Sequence, residues 1–244
     1  MPFHHLGREV FLVPVTWDKN GWFTAGVDGT VQTVMDLPLK TSEQKINGRY
    51  DVSFETIKNE PQRFCHLREY HPECYEFTEN SVTLFGNRFT LNDTESPTFL
   101  GVRQSEFDTE LTVSLTGNSP EAGITFYLSE EHHYDLAVLC KEKKRTLILR
   151  LRIGDAVMTA KEIELPEDAQ ITLKVVSDAA QYHFYGIINE EEILLGSART
   201  KYLSSEVAGG FTGVVMGMYA VNPNEDQKQK AQFTNLYWKQ GTDR

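Results

Sequence analysis

From about residue 98 onward, apolar side chains return at every second position. Leu111, Val113 and Leu115 do so within Glu110-Leu111-Thr112-Val113-Ser114-Leu115; Leu147, Leu149 and Leu151 within residues 146–152; Ile171, Leu173 and Val175 within residues 170–175. A period of two puts the apolar set on one face of an extended chain and the polar set on the other, the mark of a half-buried strand. Residues 181–187 and 232–238 keep the rhythm less strictly. Turn-forming clusters separate these runs: Gly117-Asn118-Ser119-Pro120, Gly154-Asp155 and Pro166-Glu167-Asp168. Short strands joined by short polar turns predict an antiparallel meander, and no stretch sustains a helical period over several turns. The predicted fold class is all-β, a two-sheet antiparallel β-sandwich that buries one face of each strand.

Length allows one large domain or two small ones, at 244 residues. Thirty-five acidic residues against 24 basic ones give a formal charge of -11, which argues against nucleic acid as a partner because phosphate contacts need a basic face. No apolar run approaches the roughly 20 residues that span a bilayer, so no membrane partner is expected. The opening Met1-Pro2-Phe3-His4-His5 has neither the charged nor the apolar region of a signal peptide. Cys65, Cys74 and Cys140 are odd in number and unevenly placed, which favours reduced thiols and a cytoplasmic location. Asn92-Asp93-Thr94 fits a glycosylation sequon, a triplet that arises by chance and matters only in a secreted chain.

The first third reads differently. Arg8 to Trp17 is an apolar run expected to form a continuous strand, with Pro14 confining it to an edge or a ladder end. Asn20-Gly21 follows as a turn. From Asp36 to Pro61 the chain is polar and irregular, and Lys40-Thr41-Ser42-Glu43-Gln44-Lys45 is the expected linker. These features place a boundary between residues 1–35 and 36–244. The N-terminal piece is too short for a core of its own and must pack on something else.

Sequence motifs for chemistry are few. No Gly-rich phosphate loop, HExxH or GxSxG occurs. Cys65-His66…His71…Cys74 contains zinc-type ligands, but adjacent Cys65 and His66 would point to opposite faces of a strand, so the expectation is no metal site and a loop with a small buried cysteine. Glu130-Glu131-His132-His133-Tyr134-Asp135 gathers groups suited to acid–base work, yet its place between two strand patterns reads as a polar hairpin leading into a strand. Glu190-Glu191-Glu192 reads as a solvated turn. Trp17, Trp22, Trp238 and ten tyrosines could stack sugars, although in a sandwich most large aromatics fill the core. In Gly209-Gly210-Phe211-Thr212-Gly213, glycines on both sides of one ring allow tight turns that hold Phe211 at a loop tip; a bulge with Phe211 buried is the plainer alternative.

Several segments together resemble a known family. Leu6-Gly7-Arg8-Glu9-Val10-Phe11-Leu12-Val13-Pro14-Val15-Thr16-Trp17, followed by Asn20-Gly21-Trp22, is similar to the closing strand of the β-propeller in glycoside hydrolase family 43. Ser96-Pro97-Thr98-Phe99-Leu100-Gly101-Val102-Arg103-Gln104, Ala122-Gly123-Ile124 through His132-His133-Tyr134, and the run from Tyr202 through Gly213 to Tyr219-Ala220 resemble the C-terminal concanavalin A-like sandwich of its β-xylosidases and α-L-arabinofuranosidases. The likeness runs from about residue 6 to 238 and is weakest around Cys65 to Cys74.

The resemblance implies a jelly-roll sandwich over residues 36–244, preceded in residues 1–35 by a remnant of the last propeller strands. It implies that the inverting acid, base and tuning carboxylates lie in a propeller preceding this chain, so no catalytic residue is expected here and the chain alone is expected to be inactive. Two positions carry over: Arg8, matching an arginine that hydrogen-bonds substrate hydroxyls, and Phe211, matching a loop phenylalanine at the mouth of the pocket. The implied role is a non-catalytic module that buttresses the propeller, meets xylo-oligosaccharide or arabinoxylan-type substrates through the parent enzyme, and joins a homo-oligomer. No cofactor is expected, with a structural calcium in a sandwich loop left open. The alternative is a stand-alone lectin-like module that binds such sugars without cleaving them.

Overall fold

The alternating stretches become strands in the computed structural model, which describes residues 3–8, 10–36, 50–142, 144–224 and 228–241. Two units divide the chain: Arg8–Asn47, and Met1–Gly7 together with Gly48–Arg244.

Among its described residues the smaller unit contains one hairpin, β1 (Val15–Trp17) pairing antiparallel with β2 (Phe23–Ala25). Asp18 builds its turn, accepting hydrogen bonds from the backbone N–H of Asn20 and Trp22. The strand expected over Arg8 to Trp17 is therefore much shorter, because the ladder begins only after Pro14. Proline has no N–H to donate, and the three residues of β2 leave residues 10–13 nothing in this hairpin to pair with. The expected linker at Lys40 to Lys45 lies outside the described residues.

The larger unit holds the expected sandwich. Its strands are β3 (Tyr50–Val52), β4 (Tyr75–Phe77), β5 (Ser81–Phe85), β6 (Thr98–Arg103), β7 (Thr109–Gly117), β8 (Glu121–Ser129), β9 (His132–Lys141) and β10 (Lys144–Ile153). There follow β11 (Ala156–Leu165), β12 (Ile171–Ser177), β13 (Gln181–Ile188), β14 (Glu191–Arg199), β15 (Val215–Val221) and β16 (Lys230–Gln240). One antiparallel sheet has six strands in the order β11-β10-β9-β8-β15-β6. The other has eight, in the order β14-β13-β12-β7-β16-β5-β4, with β3 also pairing β16. Leu111, Val113 and Leu115 meet Leu147, Leu149 and the other inward residues in one buried core.

Two irregularities in the pattern have a local cause. In β16 the register shifts between Thr234 and Tyr237, and Asn235 takes a left-handed φ of 51°. The bulge changes which parity faces inward, so Ala231 and Phe233 are buried before it and Trp238 and Gln240 after it. The β13–β14 turn uses positive φ at both Asn189 and Glu190, as a tight hairpin requires.

The two sheets differ in their outer faces. The eight-stranded sheet is polar outside, with Ser114 bonding Thr172 and Lys174 pairing with Glu192. The outer face of the six-stranded sheet is covered as well over β6, β8, β9, β10 and β15, whereas the edge strand β11 is exposed. Phe99, Tyr127, Ala137, Ile148 and Tyr219 form a second buried cluster with Leu91, which lies in the loop before β6. Cys65 pairs with Gly101, and Asn87 with Val221, at the edges of this cover.

The stretch from Asp36 to Pro61, expected to be irregular, contains β3 and a helix, α1 (Phe54–Asn59). Ser53 and Thr56 form a capping box, while Phe54 and Ile57 are buried one turn apart. Six residues are too few to display a helical period, so the pattern could not announce it.

Candidate functional site

The Phe211 loop follows a short helix, α2 (Ser205–Ala208). Gly209 and Gly210 take left-handed φ of 76° and 73°, a consecutive pair that side chains rarely adopt. They swing the chain outward, and Phe211 stands 68% exposed. The plainer alternative, a buried Phe211 at a strand bulge, is excluded by that exposure. Thr212 and Gly213 then lead into β15.

The N-terminal strap fixes the far side of this loop. The backbone N–H of Val214 donates to the carbonyl of His5 at 2.9 Å. Gly7 and Gly213 face each other so closely that a Cβ on Gly7 would sit 2.6 Å from the Gly213 nitrogen, and one on Gly213 would collide with the Leu6 carbonyl. His4 pairs with Glu206 in α2. His5 is 1% exposed, packed on Phe107 and Tyr182, and neither ring nitrogen has a hydrogen-bond partner. Burial lowers its pKa to about 4, so the ring is neutral near pH 7. Arg8, the next residue after the strap, opens the smaller unit and is exposed.

Beside the loop lies a cleft of about 310 Å3, lined among others by Leu67, Arg68, Arg103, Tyr127, Glu130 and Thr212. Arg103 donates to the Gly213 carbonyl at 3.1 Å. Arg68 donates to the Glu95 carbonyl at 2.6 Å and to Glu130 Oε2 at 3.2 Å. Arg68 and Arg103 escaped the sequence reading because 35 positions separate them and only strand pairing brings them to one cleft.

The other sequence candidates have structural partners. Cys65 donates its thiol to the Gly101 carbonyl, while His66 Nδ1 donates to the Phe99 carbonyl and its ring packs on Tyr70 and Tyr75. His71 approaches Glu73 instead. The run from Glu130 to Asp135 forms the β8–β9 hairpin, with His133 and Asp135 fully buried on the covered face. There Asp135 accepts from Thr125 Oγ1 at 2.7 Å and Arg150 Nε at 2.8 Å, with His133 Nδ1 at 2.9 Å. Burial alone would raise the Asp135 carboxyl, but His133, Arg150 and Thr125 hold it at about 2. Arg150 also binds Glu121, which accepts from the Tyr219 hydroxyl at 2.6 Å. This largely buried network knits β8, β9, β10 and β15 together.

An antiparallel concanavalin A-like sandwich presenting one aromatic loop defines the class of this protein. The chain belongs to the family of beta xylosidase C-terminal concanavalin A-like domains, matched over residues 52–239. It is 32% identical over 246 residues to the non-reducing end alpha-L-arabinofuranosidase BoGH43B of Bacteroides ovatus, covering 95% of this chain and 45% of that protein. A xylosidase/arabinosidase of Butyrivibrio fibrisolvens is 27% identical over 229 residues, covering 88% of this chain and 43% of that protein. The solved GH43B structure of the Bacteroides ovatus xyloglucan locus superposes with a TM-score of 0.79 at 30% identity, over 99% of this chain and 48% of that one. The chain thus spans less than half the length of the curated relatives it matches.

Proposed function

We propose that this chain is the non-catalytic C-terminal module of a family 43 glycoside hydrolase acting on xylo-oligosaccharides. It buttresses a preceding catalytic propeller and shapes the mouth of its active site with Phe211, while Arg8 binds substrate hydroxyls and the reacting carboxylates belong to the propeller. The observation that carries this reading is the apolar surface of the smaller unit. Val10 is 99% exposed and Trp22 76%, with Phe11, Leu12, Trp17 and Phe23 also exposed. Apolar side chains so concentrated in a short stretch mark a surface that another domain or another copy covers. Residues 8–35 then belong with the last strands of the propeller, while the strap before them belongs to the sandwich. Three cysteines, odd in number and unevenly placed, support a reducing compartment.

The test fuses this chain to the propeller of the Bacteroides ovatus relative and assays p-nitrophenyl β-xyloside and α-L-arabinofuranoside. The chain alone is expected to give no turnover and no heat with xylobiose. The fusion is expected to be active and to lose activity when Phe211→Ala is introduced. Turnover by the chain alone would refute the assignment, and calorimetric binding of xylobiose would favour the stand-alone lectin.

A further inference from the structure

The cleft beside the Phe211 loop carries a charge opposite to that of the chain. Two guanidinium groups, Arg68 and Arg103, line it against one carboxylate, Glu130, in a protein of net charge -11. Arg68 holds a left-handed φ of 65°, a conformation that non-glycine residues keep only where their surroundings enforce it. Its bonds to the Glu95 carbonyl, to Glu130 and to the Tyr127 hydroxyl use three of the five N–H donors of a guanidinium, which leaves two to offer. Arg103 lines the same cleft, anchored to the Gly213 carbonyl. Leu67 and the Tyr127 ring supply its apolar lining, and burial pushes the Tyr127 phenol up to about 12, keeping its hydroxyl protonated. The volume of about 310 Å3 falls at the lower end of the ~300–1,000 Å3 range of small-ligand sites.

We propose that this cleft binds a carboxylate-bearing sugar, a hexuronate, with Arg68 and Arg103 holding the carboxylate and the wall of Leu67 and Tyr127 taking the apolar face of the ring. Guanidinium forks match carboxylate geometry and give orientation as well as charge. The proposal stands whether or not a catalytic domain precedes the sandwich, since every residue in it belongs to the larger unit.

The test is a two-dimensional NMR titration of the full chain with D-glucuronate, run beside D-xylose, acetate and inorganic phosphate. Glucuronate is expected to give saturable millimolar shifts at residues 65–68, 127–130 and 212–215, weakening with added salt. Arg68→Lys keeps the charge but removes the fork, and Arg103→Gln removes the charge. Each is expected to weaken binding at least about tenfold, with melting curves confirming that the variants fold. Equal shifts from xylose would show a neutral-sugar site and overturn the proposal. Equal shifts from acetate or phosphate, showing a bare-anion site, would overturn it too, as would unchanged affinity in both variants or no saturable shift at all.

Discussion

Replacing Asp135 with Asn preserves shape and removes one charge from the buried network. Asp135 is fully buried and takes three partners within 2.9 Å. Breaking a buried ion pair costs about 3–5 kcal/mol. Arg150 keeps Glu121 as a second acid, so the loss falls near the lower bound, about 3 kcal/mol. Proton linkage gives an independent figure. The carboxyl moves from 3.8 to about 2 on folding, which corresponds to roughly 2–3 kcal/mol. Because the folded value is the lower one, this stabilisation is fully present above about pH 4 and fades as the pH falls toward 2. Urea unfolding followed by tryptophan fluorescence reads both effects. The wild type should exceed Asp135→Asn by about 3 kcal/mol near pH 7, equivalent to roughly 6–12 °C in Tm. That gap should narrow below about pH 4. A gap under about 1 kcal/mol at neutral pH, or one that stays constant into acid, would refute the assignment of this carboxylate as a structural anchor.

Two further predictions concern the strap. His5 is buried neutral, with its pKa lowered from 6.5 to about 4. Stability from this residue is complete above about 6.5 and is lost as the pH falls toward 4, so amide protection over residues 3–7, corrected for the intrinsic pH dependence of exchange, should fall in that window and His5→Phe should flatten the response. Gly213→Ala should drive the strap off the Phe211 loop, because its methyl would meet the Leu6 backbone, which cannot rotate away. A stability loss of about 1–3 kcal/mol with faster exchange in both segments is expected; unchanged exchange would count against the strap as the support of the loop.

Strands buried on one face were plain in the sequence. The Leu111-Val113-Leu115 rhythm predicted β7, and β12 keeps a strict alternation of buried and half-buried residues along its length. Strands buried on both faces hide their period: Phe126, Tyr127 and Leu128 are all buried in β8, as are residues 132–138 in β9. The weak alternation near the C-terminus came from the Asn235 bulge. At the site, the glycines around Phe211 announced a turn, but only the fold distinguishes a displayed ring from a buried one. Arg68 and Arg103 could not be paired from spacing, since the cover over the outer face is an irregular loop whose path no periodicity describes. His5 belongs to the same class: its burial follows from a backbone contact 209 positions away, at Val214.

The second dry layer on the six-stranded sheet has a consequence for how this domain can change over time. A sheet with one wet face lets half its side chains drift, whereas here Tyr127, Ile148 and Tyr219 are as confined as the residues between the sheets. Freedom to vary is therefore concentrated on the outer side of the eight-stranded sheet, around Lys174, Tyr185 and Glu192, and on the exposed edge strand β11, where an attached label or a grafted binding patch would least disturb the rest.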